Sequence, residues 1–168
     1  MKKISLILAI MMVSMMALGA VAVAEPVLGQ ALYAAHGTRA FAITTVAMDG
    51  DTIAAALIEE FQFVSPDSYE GVPNVENFTN ADGNVLAAKR VNSEAYSAGM
   101  TERGGATQTL LASYEAIEAF CVGKTVAELE EVVNGKTAEE VVDAVSSSTL
   151  VDTLGYINSI IEAAKNAA

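Results

Sequence analysis

The chain has no tryptophan, one cysteine, one histidine, three prolines and only nine lysines and arginines against 21 acidic residues. Each shortage excludes something. A lone Cys121 forbids an internal disulfide. With no CxxC or CxxCH, dithiol redox chemistry, covalent haem and a cysteine-rich zinc site are also excluded. A lone His36 leaves a metal site to oxygen ligands, and no aspartate spacing of the EF-hand kind occurs. A Ser-His-Asp hydrolase would rest wholly on that one imidazole. The net charge of −12 repels nucleic acid and anionic membranes, so no nucleic-acid partner is expected.

What is present begins with a leader. Met1 to Lys3 is short and positive, Ile4 to Val23 is almost wholly apolar, and Ala22-Val23-Ala24 supplies small residues before Glu25-Pro26. That is the pattern of a secretory signal peptide over 1–24. Its rival is an uncleaved anchor, since the apolar run is long enough to span. The mature domain is then 25–168, secreted or held at the cell surface, with membrane contact only through an uncleaved leader. Cleavage removes two lysines and takes the net charge to −14. Without disulfides, this domain must hold itself together by packing.

The strand signals come first. "FAITTVAM" (41–48) is rich in β-branched residues, Asp49-Gly50-Asp51 marks a tight hairpin, and "TIAAALIEEFQFV" (52–64) returns. Period two puts Ile53, Ala55, Leu57, Phe61 and Phe63 on one face. "VLGQALYAAHGTRA" suggests one more strand before them. Residues 65–84 form a long loop, and loops of that length often lie across a site. From Val85 the spacing predicts a helix, with Val85, Ala88, Asn92, Ala95, Tyr96, Gly99 and Met100 on one side. Leu110, Tyr114, Ile117 and Cys121 form the next stripe. Thr125-x-x-Glu128 and Thr137-x-x-Glu140 are capping boxes. Leu154, Ile157, Ile160, Ile161 and Ala164 mark a terminal helix. Strands followed by helices imply a single α+β domain, an antiparallel sheet with helices packed on one face.

Between the last two helices lies "DAVSSSTLVDT" (143–153), four hydroxyls in a row. One reading is structural: Thr149-x-x-Asp152 is a capping box and the serines make a turn. Another is chemical. A helix starting near Leu150 would offer free N–H groups and a positive dipole end. In a chain this poor in cations, Ser146, Ser147, Ser148 and Thr149 make the best phosphate cradle. Tyr96, Met100, Tyr114 and Tyr156 either line an aromatic ligand or simply pack the core. Asn92 reads as a buried hydrogen-bonding residue and Cys121 as a buried thiol. Arg103 reads as a solvated charge or a phosphate contact. Glu128, Glu130 and Glu131 read as a wet helix face.

The hydroxyl run is similar to the modification motif of FMN-binding domains, in which Asp, two intervening residues, Ser, Gly, Ala and Thr precede a helix. The resemblance extends through 41–63, 71–74, 85–133 and 150–164, to the FMN-binding domains of pheromone-precursor lipoproteins of Gram-positive bacteria. It implies a flavin carrier in extracellular electron transfer rather than an enzyme. FMN would be joined to Thr149 by a phosphoester, with Asp143, Ser146, Ser147, Ser148 and Leu150 shaping the acceptor turn. The implied partners are a flavin transferase and redox proteins of the cell envelope. Ser147-Ser148 stands where the family has Gly-Ala, and the lipobox cysteine is missing. The first departure motivates the alternative of a non-flavinylated binding or interaction module, or of FMN held non-covalently.

Overall fold

Alternation, turn chemistry and capping decide the order of elements. β1 (Val27–Tyr33), β2 (Ala40–Asp49), β3 (Thr52–Val64) and β4 (Val85–Ala88) are followed by α1 (Ser93–Gly104), α2 (Leu110–Cys121), α3 (Val126–Val133), α4 (Ala138–Ala144) and α5 (Thr153–Lys165). This is a computed structural model, and it describes residues 25–73, 79–145, 148 and 150–167. Residues 1–24, residues 74–78 of the long loop, Ser146, Ser147, Thr149 and Ala168 lie outside the described residues. The four strands pair in chain order, all antiparallel, and the helices pack against the sheet, giving the expected α+β domain. No helix among the described residues is long and apolar enough to cross a membrane.

The Asp49-Gly50-Asp51 signal makes the β2–β3 hairpin, with Gly50 at φ +58° where a side chain would be strained. One expectation about β3 fails. The pairing shifts register at Ala47/Met48, where Met48 faces Ile53 and Ala47 faces Ala55. An extra residue in a strand swaps the faces of everything beyond it. Ile53 therefore enters the core, while Leu57 and Phe63 stay exposed and Phe61 stacks on Phe41 at 5.5 Å. The core face of β3 carries Ile58 and Glu60 instead.

A second expectation is corrected at residue 85. Val85–Ala88 is a strand, and the helix starts only at Ser93. The apolar 3.6-residue spacing across 85–92 is overridden by pairing to β3, with Phe61 opposite Ala88 and Val64 opposite Val85. Asn92 then forms the corner. Its side chain accepts from the Glu70 N–H (2.7 Å) and donates to the carbonyls of Glu70 (2.9 Å) and Ala88 (3.0 Å). It is the buried hydrogen-bonding residue anticipated, and it ties the long loop to the start of α1.

α5 lies on β1 and β2, and small residues let it come close. A Cβ on Gly29 would sit 2.0 Å from the Ala163 carbonyl oxygen, and one on Gly155 would sit 2.3 Å from that of Ala35. Between them Thr44 and Ser159 share a buried hydrogen bond of 2.8 Å. Ile157 and Ile160 are fully buried, each contributing about 1.5–3 kcal/mol of apolar burial. Both capping boxes form as read, Thr125 with Glu128 and Thr137 with Glu140. Cys121 is buried, and burial pushes its thiol up to about 12, so it stays protonated.

Candidate functional site

A cavity of about 450 Å³ opens where α1, the start of α5 and the end of the sheet meet. That volume lies within the ~300–1,000 Å³ usual for small-molecule and cofactor sites. α1 contributes Tyr96, Gly99, Met100 and Arg103, and β3 contributes Gln62 and Val64. Lys89, one residue past β4, Tyr69 from the long loop and Tyr156 of α5 close the inner end. Leu150, Val151 and Asp152 line it directly after the hydroxyl run, and His36 faces them from the β1–β2 connection.

The inner end is aromatic and charged. Tyr69 and Tyr96 pack with ring centroids 4.8 Å apart, and the Lys89 ammonium lies 5.3 Å from the Tyr96 ring centre. Lys89 is ion-paired to Glu60, a carboxylate with no solvent exposure that also accepts from Tyr156 (2.9 Å) and Tyr114 (3.3 Å). Burial, above all, raises the Tyr114 and Tyr156 hydroxyls well beyond the tyrosine range, so both remain donors. Tyr114 itself is fully buried beneath the cavity, whereas Tyr96, Met100 and Tyr156 line it.

The outer end carries Arg103. Its guanidinium folds back over Gly99, where a Cβ would come within 2.7 Å of Nη2. The Arg103 side chain makes no ion pair among the described residues, so its charge is available to an anion in the cavity. Seven lysines and arginines follow residue 24, and two of them line this one cavity. No surface signal in the sequence pointed to Lys89. It is found only through its strand pairing, with its N–H donating to the Glu60 carbonyl (2.8 Å).

The turn that follows the hydroxyl run departs from expectation at its helix. α5 begins at Thr153, not near Leu150, and its N-cap Asp152 makes no side-chain capping bond. Asp152 instead pairs with His36 Nδ1. The turn is wound by hydroxyls: Ser148 N–H donates to the Val145 carbonyl (2.9 Å), Leu150 N–H donates to Ser148 Oγ (3.3 Å), and Thr153 Oγ1 donates to the Leu150 carbonyl (2.6 Å). Ser148 Oγ also shares a 3.0 Å bond with Thr153 Oγ1. These bonds bury Ser148 and turn Leu150 toward the cavity. Asp143 is exposed on α4. Ser146, Ser147 and the proposed acceptor Thr149 lie outside the described residues. His36 shares no bond with a hydroxyl among the described residues, and no group of acidic, cysteine or histidine side chains there is arranged to hold a metal.

Comparisons of the chain with protein-family models, curated proteins and solved structures give no match.

Proposed function

We propose that the protein is an extracytoplasmic FMN carrier whose cavity holds the flavin ring and whose Thr149 bears the phosphate. The observation that carries this reading is the position of the cavity. Its wall runs through Leu150, Val151 and Asp152, immediately after a run similar to a flavin-acceptor motif, and the same cavity gathers Tyr69, Tyr96, Lys89 and Arg103. Aromatic and apolar walls with a few polar groups suit a planar heteroaromatic ring. Arg103, which lines the same cavity, supplies a positive counter-charge for the phosphate. A bound flavin supplies the electron transfer. The chain holds it, excludes water from its inner end and sets the charge around it.

Co-expression with a competent flavin transferase tests the proposal. Yellow colour should survive acid precipitation, and mass mapping should place FMN on Thr149. Thr149→Ala should remove the acid-stable flavin. A colourless product from wild type favours the unmodified binding module, and FMN retained on the Ala variant overturns the acceptor assignment.

A further inference from the structure

Among the described residues, three buried side-chain polar atoms have no hydrogen-bond partner: Glu60 Oε1, Ser113 Oγ and the Tyr96 hydroxyl. Of these, only Tyr96 belongs to a residue lining the cavity. Buried polar groups are nearly always satisfied, so each orphan calls for a partner from somewhere. Tyr96 is 9% exposed, which leaves bulk water a poor candidate. Its hydroxyl keeps its proton, because burial, then Tyr69, then Glu60 raise it above the ordinary tyrosine value. A protonated phenol can donate or accept, but the Lys89 ammonium beside the same ring only donates, so a ligand edge that meets both must offer an acceptor. It must lie close to a ring already packed against Tyr69 at 4.8 Å and flanked by the Lys89 ammonium at 5.3 Å. A donor-only edge would meet an ammonium and a hydroxyl and be rejected.

We infer that Tyr96 is the specificity-determining residue of the cavity: its hydroxyl donates to a carbonyl oxygen or unprotonated ring nitrogen on the edge of a planar heteroaromatic ligand. The Lys89 ammonium, paired with Glu60, lies at the same end and offers donors only. On the proposed function, on which this assignment rests, the edge is the pyrimidine-dione side of the isoalloxazine ring. The ring then enters with its carbonyls toward Tyr96 and Lys89, and its phosphate-bearing chain points toward Arg103. The assignment explains why the inner end keeps a tyrosine where a phenylalanine would pack equally well.

The test uses riboflavin, which has the ring and no phosphate, titrated against the purified, unflavinylated chain by fluorescence quenching. Tyr96→Phe keeps the packing on Tyr69 and the ring under Lys89 and removes only the O–H. It should bind riboflavin about fivefold to tenfold more weakly, the loss of one buried hydrogen bond. The same variant should melt at or above the wild-type temperature when unliganded, because it has lost an unsatisfied buried group. Equal dissociation constants for the two proteins overturn the assignment and leave the flavin reading standing. A clearly lower melting temperature for Tyr96→Phe also overturns it, since the hydroxyl then has a partner within the protein. Wild type that leaves riboflavin fluorescence unchanged refutes the flavin reading and this assignment together.

Discussion

Lys89→Met is the most informative perturbation of the frame around the cavity. In the native protein the Lys89 ammonium, 4% exposed, neutralises Glu60, which is 0% exposed. Without it, Glu60 keeps two phenol donors on Oε2 and nothing on Oε1. Breaking a buried ion pair from one side costs about 3–5 kcal/mol, because an uncompensated charge stays inside. That is a large share of the ~5–15 kcal/mol that holds a domain folded. The double variant Glu60→Gln/Lys89→Met behaves differently. The amide oxygen still accepts from Tyr156 and Tyr114 while no charge remains, so the cost should fall to about 1–2 kcal/mol. The second substitution thus restores roughly 2–3 kcal/mol of what the first removes. Urea unfolding at pH 7, followed by far-UV circular dichroism, reads this directly. For a slope near ~2 kcal/mol/M, the single variant should lose about 2 M in midpoint and the double should recover more than half of it. A single variant within ~1 kcal/mol of wild type, or a double no better than the single, would refute the assignment of Lys89 as the counter-charge of Glu60.

Two further predictions follow from the same geometry. Gly99→Ala places a methyl where the Arg103 guanidinium now lies, and the flexible end of that side chain must swing away. Helix α1 should gain up to about 1 kcal/mol from alanine, while FMN loses about threefold to tenfold in affinity and riboflavin changes little; equal losses for both ligands would remove Arg103 from the phosphate end. The capping glutamates Glu128 and Glu140 are held below their ordinary value of 4.5, chiefly by the backbone N–H groups of Thr125 and Thr137, with Lys124 and Lys136 nearby. Their stabilisation is present above that value and is lost as the pH falls through the lower folded values. Glu128→Gln/Glu140→Gln keeps the capping acceptors but removes the titration, so the acid-side fall in urea midpoint should flatten; an unchanged pH profile counts against the capping contribution.

Much of the fold was legible because its signals are local. Asp49-Gly50-Asp51 dictates a hairpin through the φ > 0 requirement at Gly50. Thr125 and Thr137 each find a glutamate three residues on, and the capping boxes need nothing else. The stripes of α2 and α5 carry their own periodicity. The misread places are those where one residue's offset is settled from a distance. The β3 face depends on a register shift against β2, and a single extra residue exchanges the buried and exposed sets. Val85–Ala88 has a helix-like spacing that pairing with β3 overrides. Asp152 has a capping spacing, yet it pairs with His36, 116 residues away.

The order of strands before helices, the two capping boxes, the hairpin turn and the acidic, disulfide-free character are properties of the chain itself, because each depends on residues within a few positions or on bulk composition. The cavity is a product of tertiary structure alone. Tyr69, Lys89, Leu150 and Tyr156 come from four separate stretches of chain and Tyr96 and Arg103 from a fifth, α1, and no spacing in the sequence brings the five together. They meet because β4 pairs with β3, because Asn92 fastens the long loop to α1, and because glycines at 29 and 155 let α5 settle onto the sheet. Long-range pairing and close backbone approach decide which side chains share a space, and neither is written in local periodicity.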